Sequence, residues 1–254
     1  MLIGGSKIDL QEIVLDSLKF PFSNVGRAFG LLLLFLGSIF IIPIILALGY
    51  IFRIIEHTIN GSNELPQFDE WGNMFTDGIK YLVATAIYLI VPNILTFVLF
   101  GGMLASIYAG DSQISLLLVS VVGLIFALPF DLVYIMALGN MVHEDKFGAA
   151  FDFSKIFGLI GKMGWSKYIL YILIFAIIGF ILGIIANLGT FMRISFGVGW
   201  AVGILISLLV QVYLVMYQGR YIGLIYRKGN LMAKDDEEIE GNFEVDENKD
   251  TKAA

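Results

Sequence analysis

Residues 114–139 read ISLLLVSVVGLIFALPFDLVYIMALG, and Asp131 is the one charged side chain among them. A helix needs ~20 apolar residues to cross hydrocarbon about 30 Å thick, so this stretch is long enough to span a bilayer. Four further stretches, at 28–52, 81–108, 168–190 and 197–218, repeat the pattern with no Asp, Glu, Lys, Arg or His at all. The chain therefore reads as an all-α integral membrane protein, a bundle of about five transmembrane helices. Pro43, Pro92 and Pro129 lie inside the first three apolar runs. Proline removes a backbone donor and clashes one turn back, so these three helices are expected to be kinked.

Composition supports the class. Hydrophobic residues make up 58% of the chain and charged residues only 15%, whereas a soluble domain carries about 25% charged residues. There is no cysteine, which excludes disulfides, thiolate metal sites and cysteine nucleophiles. From Lys234 onward, three lysines face nine acids, 3 − 9 = −6, which equals the net charge of the whole chain. The domain reading is an amphipathic interfacial N-terminus at 1–27, a polytopic helical domain at 28–228 and an acidic, disordered tail at 229–254. The first apolar run is longer than a signal h-region, so it is expected to persist as an anchor.

Two polar connections, Arg53 to Lys80 and Asn140 to Lys167, each contain a Phe-Asp step: Phe68-Asp69 and Phe151-Asp152. The spans preceding them end alike, at Ala47-Leu48-Gly49 and Ala137-Leu138-Gly139, and the last span ends at Gln218-Gly219-Arg220. A degenerate repeat is expected, in which a helix pair closes on a small, polar exit. Both connections and the C-terminus fall on one face with most of the Lys and Arg, so that face is expected to be cytoplasmic in a cell membrane. Lys7, Lys19, Arg27 and Arg193 fall on the other face in a five-crossing arrangement. A further embedded segment within 8–27 would move the N-terminal three back.

Candidate sites are few. An intramembrane polar cluster of Asp131, Gln211 and Asn93 could serve an ion or a polar solute, since charge at depth is costly and often functional. A structural alternative makes Pro129 the start of a new helix, with Asp131 in its first turn facing free amides. Gly179-x-x-x-Gly183 and Gly199-x-x-x-Gly203 are expected to pack the last two spans together. His57 and His143 form no ligand spacing, so no metal and no cofactor are expected. No catalytic motif is present, and basic residues do not cluster with aromatics as nucleic-acid binding would require. The lipid bilayer is the one partner the sequence requires. A membrane or cytoplasmic protein partner is left open, and the oligomeric state is not determined.

One segment carries a more specific pattern: Gly49-Tyr50-x-x-Arg53, Asn60-Gly61, Glu64-Leu65-Pro66-x-Phe68-Asp69-x-Trp71, and then Phe75-x-Asp77-Gly78-x-Lys80. With Ala149-x-Phe151-x-Phe153 and Tyr213-x-x-x-Tyr217-x-Gly219-Arg220, it resembles a prokaryotic, largely archaeal membrane family catalogued as domain of unknown function 4013. Asn140-Met141-Val142-His143 departs from that pattern. The resemblance implies a multi-spanning helical domain with no assigned chemistry. Within the segment, Leu65, Phe68, Trp71 and Phe75 are expected to form the apolar face of an interfacial helix, with Glu64, Asp69, Glu70 and Asp77 in water. Two functions remain: a non-enzymatic scaffold or assembly factor working through the connections, or a small-solute or ion permease around Asp131.

Overall fold

The computed structural model describes residues 9–108, 113–192 and 198–250. Lys7 and Arg193 lie outside them. Eight α-helices run in order among the described residues: α1 Leu10–Lys19, α2 Val25–Leu36, α3 Ile41–Ile59, α4 Trp71–Tyr108, α5 Gln113–Glu144, α6 Phe153–Met163, α7 Trp165–Met192 and α8 Val198–Asp250. No strand occurs among these residues. Five helices, α3, α4, α5, α7 and α8, are long and apolar enough to cross a membrane. The exposed apolar side chains of α4 and α7, from Leu82 to Val98 and from Ile169 to Ile185, are the surface that lipid covers.

The first apolar run, 28–52, is not one kinked helix. It breaks after Leu36 into a 3-10 turn over Gly37–Ile39 and an extended Phe40, with φ −99° and ψ 142°, and α3 then starts at Ile41. The reason lies in Pro43. Inside a continuous helix it would forfeit the bond to the Ile39 carbonyl and clash with it. After the break it occupies the first turn, where amides have no intrahelical partner anyway. Pro92 and Pro129, by contrast, sit inside the unbroken α4 and α5. Near Pro92, Asn93 Nδ2 donates to the Leu89 carbonyl at 2.7 Å and Thr96 Oγ1 to the Pro92 carbonyl at 2.9 Å. Continuity of α5 also removes the helix-start explanation for Asp131, which stands in the middle of that helix.

The three matching span ends share one packing role. A Cβ on Gly49 would lie 1.8 Å from the Met74 carbonyl oxygen, one on Gly139 2.5 Å from Tyr226 Cβ, and one on Gly219 2.8 Å from Ile54 Cγ2. At each exit, α3, α5 or α8 touches a neighbour with no room for a side chain. Gly78 completes the first of these crossings from the other side, since its Cβ would lie 2.0 Å from the Ile45 carbonyl oxygen. Buried tyrosines fill the space between the exits; the hydroxyl of Tyr217 is buried without a hydrogen-bond partner, whereas others are bonded. Tyr226 donates to Asn140 Oδ1 at 2.9 Å, Tyr221 to the Tyr171 carbonyl at 2.9 Å, and Tyr88 to the Ala150 carbonyl at 2.7 Å.

In the expected glycine seam between the last two spans, the two α7 glycines face open space. A Cβ on Gly179 or Gly183 would touch nothing within 4 Å. The surroundings of Gly199 lie outside the described side chains. Gly203 is buried, and beside it Ser207 Oγ donates to the Ala186 carbonyl at 2.9 Å. The body also continues past Lys228. Leu231 and Met232 pack on the core, Ala233 is buried, and Lys162 Nζ reaches the Ala233 carbonyl at 3.4 Å.

Candidate functional site

Residues 60–70 form a non-helical strap between α3 and α4, and this strap is the best-built polar feature of the chain. Helix α3 stops because Gly61 takes φ +87°, a conformation glycine adopts without penalty. Its amide donates to the Thr58 carbonyl at 3.0 Å, and the Ser62 amide to the His57 carbonyl at 2.8 Å. These bonds satisfy carbonyls that the helix end leaves free. Leu65 is then driven inward and is 1% exposed. Tyr50 donates its hydroxyl to the Pro66 carbonyl at 2.9 Å and stacks on Phe68 at 4.3 Å between ring centroids.

Arg53 is the clamp. Its guanidinium, on a residue only 7% exposed, donates to the Asp69 carbonyl at 2.7 Å, the Asp69 carboxylate at 2.8 Å and the Glu70 carbonyl at 3.1 Å. The guanidinium presents five N–H donors in one fixed planar fork, against three on an ammonium. From the other side Arg27 donates to the Leu65 carbonyl and pairs with Glu64 at 3.5 Å. Arg220, 2% exposed, joins three parts of the chain. It bonds Asp16 Oδ2 of α1 at 2.6 Å and Asn63 Oδ1 of the strap at 2.8 Å, and it also donates to the Ser62 carbonyl. Its guanidinium lies over the Phe20 ring at 4.7 Å.

Beneath the strap lies an open cleft of about 1090 Å³, whose lining includes Arg53, Glu56, His57, Asp77, Lys80 and Asp145. Lys80 bridges Asp77 at 3.1 Å and Asp145 at 2.7 Å, so the two long connections meet in this cleft. The lining is mixed in sign, and Arg27, Arg53 and Lys80 are each already paired. No group of three His, Asp or Glu with metal-binding geometry occurs among the described residues. The arrangement is chemically suited to recognising a polar, mixed-charge surface.

The segment singled out in the sequence is thus assembled, but not as expected. Tyr50, Arg53, Leu65, Pro66, Phe68, Asp69 and Lys80 build the strap and cleft, Asn60 and Gly61 end α3, and Gly49 and Gly78 make the α3–α4 crossing. There is no interfacial helix: Leu65 and Phe68 belong to the strap, whereas Trp71 and Phe75 already belong to α4. The true surface helix is α6, started by Asp152, whose carboxylate accepts from the Lys155 amide at 3.1 Å. Arg27, Glu56, Asp145 and the Arg220–Asp16 pair are contributions that sequence reasoning missed. Only Arg220 stood inside a quoted pattern.

Of the expected intramembrane cluster, Asn93 lines a shallow apolar pocket with Leu89, Ile90, Ile94 and Phe97 that neither Asp131 nor Gln211 joins. Asp131, Asn93 and Gln211 are each exposed on the surface of their helices. Asn93 uses its amide on its own helix, and the cleft does not reach Asp131. The N-terminus also changes sides. Arg27 on the strap and Asp16 on Arg220 place α1 and the start of α2 with the two connections and the end of α8.

Residues 32–191 match the family described as "Protein of unknown function (DUF4013)". The match covers the strap, both connections and the first four apolar stretches. No curated protein and no solved structure matches the chain.

Proposed function

The chain belongs to the DUF4013 family, described only as a protein of unknown function, and from that premise we propose a non-enzymatic membrane scaffold that works through the strap and its cleft. The observation that carries this reading is the clamp of Arg53 on residues 67–70, which holds an irregular, charged segment rigidly over an open polar cleft. Irregular segments fixed in this way are where proteins usually place recognition. Twelve Lys or Arg side chains among the described residues fall at the strap end of the helices: Lys19, Arg27, Arg53, Lys80, Lys146, Lys155, Lys162, Lys167, Arg220, Arg227, Lys228 and Lys234. The positive-inside rule makes that face, and the end of α8, cytoplasmic in the cell membrane.

Site-specific photo-crosslinking in living cells tests the scaffold. A crosslinker at exposed Glu64 or Asn73 should yield one discrete protein adduct, while the same group at Ile185 should yield only lipid. Equal adduct patterns at cleft and lipid-facing positions would remove the proposal.

The permease reading draws its support from Asp131, and it has a separate test. Asp131→Asn, at an exposed position with no side-chain partner in the helix bundle, should leave the purified protein monodisperse and its Tm unchanged. Reconstitution should then give no solute flux in either protein. A flux that the wild type supports and Asp131→Asn abolishes would reinstate the permease.

A further inference from the structure

Helix α3 is long and apolar enough to be taken for a crossing, but the way α2 and α3 are tied together as one unit favours a return to the same side. Helix α2 has twelve residues and so spans about 18 Å at 1.5 Å per residue, well short of the ~30 Å of hydrocarbon. Both ends of the unit are tied to the same strap. Arg27 donates to the Leu65 carbonyl, and a Cβ on Gly30 would lie 2.6 Å from the Phe68 ring. That ring stacks on Tyr50 of α3, and Arg53 of α3 holds the end of the strap.

The crossing with α4 gives the depth independently. Gly49 meets Met74 and Gly78 meets Ile45, so the helices run antiparallel there. Beyond Ile45, α3 has only Ile41–Ile44 left, about 6 Å, whereas α4 continues from Gly78 to Tyr108, about 45 Å. Half of the apolar stretch of α3 is buried inside the protein, as is 44% of that of α5, against 6% for that of α7. What remains exposed is the tip, where Ile39 is 89%, Phe40 70%, Ile41 76% and Ile42 62% exposed. On α4, just past its crossing with α3 at Gly78, Ile79, Leu82 and Val83 are exposed as well.

We infer that α2–α3 is a re-entrant hairpin that inserts Ile39–Ile42 among the acyl chains of the leaflet on the strap side and returns to that side. Helices α4, α5, α7 and α8 are then the only four described helices that cross. The N-terminal helix, the strap, the second connection and the end of α8 all share one face. An unbroken row of four aliphatic or aromatic side chains at the tip has no reason to face water, and hydrocarbon is the medium that stabilises it there. The partner is the lipid of one leaflet, which makes the hairpin an anchor that fixes the strap at the membrane surface.

The absence of native cysteine makes the test direct. Single variants Ser23→Cys, Gln67→Cys, Ile39→Cys and Asp111→Cys are labelled with a membrane-impermeant maleimide in right-side-out and inverted vesicles. Ser23→Cys and Gln67→Cys should react from one side and Asp111→Cys, between α4 and α5, from the other. Ile39→Cys should stay at background from both sides and label fully once detergent is added. Ser38→Cys provides the same readout if Ile39→Cys fails to accumulate. Labelling of the tip from the Asp111 side would show a full crossing and overturn the hairpin. Labelling from the Gln67 side would place the tip in water and overturn leaflet insertion.

Discussion

Gly49→Ala should abolish the stably folded protein, although it adds a single methyl group. The new Cβ would lie 1.8 Å from the Met74 carbonyl oxygen and 2.7 Å from its carbon, both backbone atoms of α4. A side chain can swing away from such a contact, but backbone cannot without moving its helix. Gly78→Ala meets the same obstacle in the Ile45 carbonyl at 2.0 Å. Forcing two packed helices apart costs on the order of 3 kcal/mol, a large fraction of a typical folding free energy of about 5–15 kcal/mol. Separation also pulls α3 away from the strap, so the cost appears at the cleft as well. Size-exclusion profiles in detergent and thermal unfolding measure it: aggregation or a strongly lowered Tm is expected for both variants. Gly179→Ala and Gly183→Ala are the controls. Their new methyl groups meet nothing within 4 Å, so each should shift stability by less than about 0.5 kcal/mol. If the two pairs behaved alike, the α3–α4 crossing would not be the tight point of the fold.

Arg220→Met should release the N-terminal helix. The guanidinium is 2% exposed and is the donor shared by Asp16, the Ser62 carbonyl and Asn63. Methionine fills part of the volume but leaves those acceptors without their donor. Breaking a buried, hydrogen-bonded ion pair costs about 3–5 kcal/mol. The Asp16 side chain is 39% exposed, so water recovers part of the loss and the lower end, about 3 kcal/mol, is the expectation. Limited proteolysis reads it directly: cleavage should appear between α1 and α2 while α4–α8 stay protected. Arg220→Lys should recover only part of the stability, because an ammonium keeps the charge without the fork that joins α1 to the strap. A wild-type digestion pattern for Arg220→Met would show that Phe20 and Ile13, both buried, hold α1 without it.

Several features of the fold are legible in the sequence alone. Four of the five apolar runs became the expected long helices, because lipid selects uninterrupted apolarity and periodicity plays little part. The segment from Gly49 to Lys80 was marked as special by its residues and became the cleft. The matching Gly49, Gly139 and Gly219 exits became three tight crossings. The seam at Gly179 and Gly183 misled for a plain reason: glycine is frequent in membrane helices, and the spacing alone does not say whether a neighbour is present. The run 28–52, which divides into α2 and α3, misled because hydropathy alone does not register that Pro43 starts a new helix. Asp131 was conspicuous by rarity, but rarity supplied it with no partner.

The sequence by itself determined the medium and the class: uncharged stretches longer than a bilayer is thick leave a helical membrane protein as the stable outcome. It also placed the polar exits on one face and left cysteine chemistry out. Only the tertiary structure decided which apolar residues are buried in protein and where the charges gather. Both depend on what lies opposite a residue across the bundle. Arg27, Arg53, Lys80 and Arg220 find their acceptors at sequence separations of up to 204 residues, and α3 is buried because α4 and α8 lie against it. The cost of burying an unpaired polar group is set by those distant partners, and a local reading of the chain has no access to them.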